Sequence, residues 1–325
     1  MIKSDKYERI LINRNKRERG IPVTVCIAAI CENDTVVICA SDRMLTAGDI
    51  EFEPQKSKIT LLTNSIIAMI AGDSSLQAYV LQMVNVDIAE RIKSNPQKWL
   101  QISEVADLYV QHYNKTKLKM AENAILAPLN LDSTSFIANQ KQMDHQLIEK
   151  LVEQMTKFAM EPIGVIFAGI DMVGAHIHVV HNYNFDCRSE CRDRVGFASI
   201  GIGSRHANSE FMFAGHTGSR MMPETLLLTY SAKKRAEAAP GVGSATDMCF
   251  IGPALGGHYF PKENEDVFKQ LKDIYGKAQK NIRRSNIKAN KEIDKYVQDL
   301  VEDTAKIQKE TQTKADIETG FKPTT

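Results

Sequence analysis

Residues 24–73, TVCIAAICENDTVVICASDRMLTAGDIEFEPQKSKITLLTNSIIAMIAGD, decide how this chain folds. Two apolar runs, TVCIAAIC (24–31) and TVVICAS (35–41), are joined by the polar residues Glu32, Asn33, Asp34 and Thr35, which is the pattern of a hairpin. A second pair, SKITLLT (57–63) and SIIAMIA (65–71), hinges at Asn64. Both runs of the first pair are apolar on both faces, so they predict strands covered on two sides inside a layered structure. Asp42 lies between the pairs and Lys58 opens a strand. Charges at the border of a buried sheet are costly unless they are paired or at work.

Outward from this block the chain reads in order. Residues 1–23 are basic and end in the breakers Gly20 and Pro22, giving an N-terminal extension or propeptide. Residues 74–94 and 98–120 carry apolar positions at helical spacing, with Ser74 or Ser75 as the expected cap of the first helix. An insertion of about 120–161 carries a loop at Pro128 and Asp132 and one extra helix, DHQLIEKLVEQMTKFAM. Strands return from Ile163, helices are expected near Ser204 and over 223–239, and SATDMCFIG returns to strand. Helices outside two stacked antiparallel sheets make an α/β (α+β) fold, a four-layer αββα sandwich spanning 24–260. Residues 261–325 predict a C-terminal extension of two amphipathic helices, whose apolar spacing departs from a regular heptad, with KADIETGFKPTT disordered at the end.

Composition narrows the function. A chain of 325 residues with 43% hydrophobic and 25% charged residues reads as a soluble globular protein of one large or two ordinary domains. A net charge of +1 gives no whole-chain attraction to a polyanion, so nucleic acid is not an expected partner. No apolar run reaches the roughly 18 residues that span a bilayer. The first twenty residues, MIKSDKYERILINRNKRERG, lack the apolar centre of a secretory signal, so the expected compartment is the cytoplasm. Cys26, Cys31, Cys39 and Cys249 read as small core residues. Cys187 and Cys191 follow a strand bearing His176 and His178, but Cys-x3-Cys without a second pair is a weak zinc pattern, and no metal is expected.

The run 36–48, VVICASDRMLTAG, resembles the proteasome β-subunit pattern in which an apolar strand ends in Ala-Ser-Asp-Arg and continues to Thr-Ala-Gly. If Asp42 is the family's catalytic aspartate, ungapped counting sets Thr46 on its substrate-binding threonine, Lys58 on its catalytic lysine and Gly72 on its oxyanion glycine. The stretch from about 163 to 252, with GFASIGIGS (196–204) and APGVGSATDM (239–248), resembles the second half of the same fold. The resemblance implies an N-terminal-nucleophile hydrolase acting on peptides or proteins without a cofactor. It also implies a homo-oligomeric ring, with an ATPase as a candidate partner. The chain has Val23 where such subunits carry glycine before the nucleophile, Ile202 and Pro240 at two serine positions, and Glu237 at an aspartate position.

Chemistry gives these positions roles. Once Thr24 is the first residue, its α-amine, with an ordinary pKa of about 7.7 to 8.0, can take the proton of its own hydroxyl at neutral pH. Lys58 would hold that amine neutral and favour the alkoxide, while Asp42 balances and orients the lysine. The Gly72 N–H would face the oxyanion, and Thr46 would pair its main chain with an extended peptide. Ungapped counting back from Asp42 lands on Cys26, the alternative nucleophile; Thr24 aligns when the hairpin is two residues longer. Two other readings keep the same fold: a catalytically inactive ring or scaffold protein, and an amidase acting on a small molecule.

Overall fold

The protein is represented by a computed structural model that describes residues 23–47, 50–55, 57–183, 186–255, 257–261 and 266–318. The chain divides into two units, residues 1–265 and 266–325. The first unit contains strands β1 (Cys26–Cys31), β2 (Val36–Ser41), β3 (Leu45–Ala47), β4 (Ile50–Phe52), β5 (Ile59–Leu61) and β6 (Ile66–Ala71). Helices α1 (Ser74–Ser94), α2 (Ile102–Ala121), α3 (Ser133–Asn139) and α4 (His145–Thr156) follow. Strands β7 (Gly164–Ile170), β8 (Ala175–Tyr183), β9 (Asp186–Cys191) and β10 (Phe197–Ile200) come next, then α5 (Ser204–Phe213), α6 (Met222–Ala236), β11 (Asp247–Gly252) and β12 (Gly257–Tyr259).

Ten of these strands form two five-stranded antiparallel sheets, in the orders β10-β1-β2-β11-β12 and β5-β6-β7-β8-β9, and β3 pairs with β4 in a separate antiparallel ribbon. Strand β1 shows why its sequence is apolar throughout. Cys26, Ala28 and Ile30 point into the layer between the sheets, beside Ile67, Met69, Ile166 and Ile177. Val25, Ile27 and Ala29 point the other way, onto Ala207 and Phe211 of α5 and Leu228 and Ala232 of α6. Ile66, Ala68, Val165 and Phe167 of the second sheet pack outward in the same manner on Val80 and Val84 of α1 and Val105 and Tyr109 of α2. The expected four layers are therefore present: helices, sheet, sheet, helices. The turn after β1 places Glu32, Asn33 and Asp34 all at positive φ, of 54°, 53° and 60°. Asp34 is held by its N–H to Gly218 O, 3.2 Å, and accepts at its own O from Ala175 N, 2.7 Å.

Local departures from the sequence reading have physical causes. Helix α1 is capped by Asp73, whose side chain accepts from the N–H groups of Ser75 and Leu76, and not by Ser74 or Ser75. The insertion holds two helices instead of one. Asp132, read as a loop residue, is a reciprocal cap with Ser135 and starts α3. Phe136 of α3 and Leu151 of α4 close a small separate core with Leu126. The second unit is described as a single helix, α7 (Asp266–Glu318), where two were expected; it takes in the first five of the twelve residues expected to be disordered, and the other seven lie outside the described residues. The N-terminal extension, residues 1–22, lies outside the described residues. Among the described residues no helix is long and apolar enough to cross a membrane.

Candidate active site

Three chain segments converge at one end of the layer between the sheets. The β1–β2 ladder ends at the pair Cys26 and Ser41, and one step further Val25 lies opposite Asp42. Asp42 N donates to Val25 O at 3.1 Å and Val25 N donates to Asp42 Oδ1 at 3.0 Å. This pairing fixes the aspartate beside Thr24. Lys58 directly precedes β5, whose Ile59 pairs with Met69 of β6, and so reaches the same end from the facing sheet.

Thr24, Asp42 and Lys58 form a closed triangle. The Thr24 hydroxyl donates to Asp42 Oδ1 at 2.5 Å, and Lys58 Nζ donates to Asp42 Oδ1 at 2.8 Å. Lys58 Nζ also donates to Thr24 Oγ1. Thr24 is 2% exposed, Asp42 is fully buried and Lys58 is 8% exposed. The carboxylate is further bound by main-chain N–H groups, Met44 N and Gly243 N each lying 3.1 Å from Oδ2. A buried carboxylate with a cation and this many donors is held in one orientation, and each charge-assisted bond is stronger than a neutral one.

The backbone around Thr24 is equally constrained. Gly201 has φ +89°, and a Cβ there would stand 2.2 Å from Thr24 O, so only glycine lets the corner after β10 approach this closely. Two residues on, Gly203 N donates to Thr24 O at 3.2 Å. In this chain the Thr24 nitrogen is joined to Val23, so a free amine requires cleavage of that bond.

The other predicted residues fall as follows. Cys26 is at the same end but points into the apolar layer, with Sγ 3.6 Å from Ile70 O. Burial pushes its thiol up to about 12, more than Lys58 pulls it down. A thiol that resists ionisation is a poor nucleophile, and the hydroxyl that contacts both Lys58 and Asp42 is that of Thr24. Gly72 follows β6, two residues beyond Ile70, with φ +113°; a Cβ there would meet Pro162 O at 2.6 Å. Thr46 is on β3 opposite Glu51, and its side chain lies outside the described residues. His176 and His178 do not assemble with Cys187 and Cys191. His176 is bound by Asp171 and Asp193, and His178 by Ser189. Among the described residues no group of three or more histidine, cysteine and acidic side chains could hold a metal ion.

Sequence reading missed the support behind Asp42. Lys233 of α6 is fully buried, and its Nζ donates to Gly243 O at 2.9 Å, Ser244 O at 3.0 Å and Glu237 Oε1 at 2.5 Å. It thereby holds the loop whose Gly243 N–H reaches Asp42. The sequence reading assigns Lys233 no role beyond membership of the helix expected over 223–239. The available signal was periodicity, because Lys233 stands one turn after the buried Thr229 on the face that α6 turns to β1. In comparison with known proteins, the chain matches no family model and no curated sequence.

Proposed function

We propose that this chain is a proteasome-like N-terminal-nucleophile hydrolase, a threonine-type endopeptidase subunit that cuts peptide bonds with the hydroxyl of Thr24. The observation that carries this reading is the contact of one hydroxyl with both a buried ammonium and a buried carboxylate, in the triangle of Thr24, Lys58 and Asp42. Cleavage after Val23 frees the Thr24 amine. Thr24 Oγ1 then attacks the peptide carbonyl carbon as its proton passes to that amine, and the Lys58 ammonium stabilises the oxygen as it loses the proton. By the resemblance, the Gly72 N–H is the donor to the oxyanion. Collapse breaks the C–N bond, the leaving amine takes the proton from the Thr24 amine, and an acyl ester remains on Oγ1. Water, deprotonated by the same amine, hydrolyses that ester and restores the hydroxyl. Asp42 holds the lysine in place throughout. By resemblance the working form is a homo-oligomeric ring in the cytoplasm, with an ATPase as candidate partner, a peptide or protein as substrate and no cofactor.

The test pairs the mature N-terminus with two variants. Peptide hydrolysis by a form beginning at Thr24, abolished in Thr24→Ala and retained in Cys26→Ala, supports the reading. Ile202 and Pro240, apolar where the resembling subunits have serine, favour a second reading as an inactive ring or scaffold protein. Intact mass retaining residues 1–23, with no hydrolysis, selects that second reading.

A further inference from the structure

Helix α7 runs without interruption for 53 residues, about 80 Å at 1.5 Å per residue. Phe268 and Leu271 near its start are buried, but from Ile274 on its larger apolar side chains are exposed: Ile274, Ile282, Ile293, Tyr296, Leu300 and Ile307 are each between 52% and 63% accessible. Their gaps are irregular against a repeat of seven but regular against eleven. The positions 274, 278, 282, 285, 289, 293, 296, 300, 304, 307 and 311 advance by four, four and three in strict rotation. Each is apolar, alanine, serine or threonine, although the helix is rich in charge on its other faces. An eleven-residue repeat gives 3.67 residues per turn, which keeps one stripe in line along a slightly right-handed supercoil. Ile287, Val297 and Val301 lie off this stripe.

We propose that α7 pairs with α7 of a second copy of this chain, antiparallel, about a dyad near Ile293. Two independent features of the sequence select that occupant and that direction. The first is size. Reversing the stripe about Ile293 sets Tyr296 against Ala289, Leu300 against Ser285, Ile282 against Thr304, Ile307 against Ala278 and Ile274 against Thr311. Every layer but the central one joins a large side chain to a small one, the alternation that lets facing layers interdigitate. A parallel pair would set each residue against itself, stacking large on large and leaving gaps at alanine and serine.

The second feature is charge. From Ile274 to Lys291 every charged residue is basic: Lys277, Lys280, Arg283, Arg284, Lys288 and Lys291. From Glu292 to Thr311 the acids Glu292, Asp294, Asp299, Glu302, Asp303 and Glu310 outnumber Lys295, Lys306 and Lys309. Antiparallel pairing lays the basic half of one copy along the acidic half of the other. Lys277 and Lys288 each directly precede a stripe position, as do Glu310 and Asp299, so all four occupy one flank. In the antiparallel register Lys277 meets Glu310 of the second copy and Lys288 meets Asp299. This pairing is independent of the hydrolase reading, since it uses no residue of the candidate active site.

Disulfide trapping in the full-length chain, with the exposed Cys191 replaced by serine, tests the proposal. Under mild oxidation Ile293→Cys forms a covalent dimer with itself. Leu300→Cys and Ile307→Cys do not, because each lies far from its own copy along the axis, whereas a mixture of Ser285→Cys and Leu300→Cys chains gives the mixed dimer. Sedimentation adds a second reading: Ile293→Asp together with Leu300→Asp halves the number of chains per particle. Self-linking of Ile307→Cys at the yield of Ile293→Cys overturns the antiparallel pair. Failure of all these cysteines to link, or an unchanged particle mass in the aspartate variant, overturns the pairing itself.

Discussion

Lys58 Nζ lies 2.8 Å from Asp42 Oδ1, with the lysine side chain 8% exposed and the aspartate fully buried. This pair joins the two sheets of the sandwich at the end where Thr24 sits. Removing one partner strands the other charge in a nearly buried site, at a cost of about 3 to 5 kcal/mol.

The two halves of that pair should respond unequally. Lys58→Met should destabilise the fold by about 3 kcal/mol or more. Asp42→Ala should cost more still, because the N–H groups of Val25, Met44 and Gly243 lose their acceptor as well. Urea unfolding midpoints give the order, and neither variant should hydrolyse peptide. An Asp42→Ala chain as stable as Lys58→Met would show that the backbone donors find other partners.

Gly201→Ala tests the corner that packs against Thr24. The added Cβ meets Thr24 O at 2.2 Å and takes a left-handed backbone. Steric strain and φ > 0 together should lower stability by about 2 to 4 kcal/mol and reduce hydrolysis at least tenfold. Gly276→Ala, in open space on α7, is the control and should leave hydrolysis unchanged. Equal activity in both variants would remove the corner from the account.

Cys26→Ala should leave hydrolysis within twofold of the parent while costing about 1 to 2 kcal/mol in stability from the lost packing. The parent protein should also resist thiol alkylation at this position at neutral pH, since burial raises the thiol to about 12. Loss of activity in Cys26→Ala, with Thr24→Ala still active, would exchange the two roles.

A pH dependence follows from His176. Burial pulls its pKa down, but Asp193, bound at 2.7 Å, and Asp171, at 3.2 Å, outweigh that effect and leave the pKa raised above 6.5. A raised folded-state pKa means that the stabilisation is complete below 6.5 and is lost as pH rises through the folded value. The parent protein should therefore lose stability over that window relative to His176→Gln. Parallel pH profiles in urea unfolding would show that the imidazole does not gain a proton between the two aspartates.

The layered fold was legible because its strands are buried on both faces and so are written as unbroken apolar runs. Asp42 and Lys58 were singled out by the pattern the chain resembles and its spacing, and Thr24 only by allowing the hairpin two residues more than the ungapped count that lands on Cys26. The flanking support was not. Gly243 acts through its backbone N–H, which no side chain advertises, and Lys233 carries a charge where helix periodicity asks for an apolar group. Asp132 and Asp73 were overlooked as caps because an aspartate in a polar stretch reads equally well as a loop. Gly276 falls in the first part of α7 without breaking it, since a single helical glycine costs only about 1 kcal/mol relative to alanine.

The central claim is that the amine released at residue 24 works on its own hydroxyl beside Lys58. The intact mass of the peptide-hydrolysing form tests it most directly. The account predicts a chain beginning Thr24-Val25-Cys26. A peptide-hydrolysing preparation that keeps residues 1–23 contradicts it.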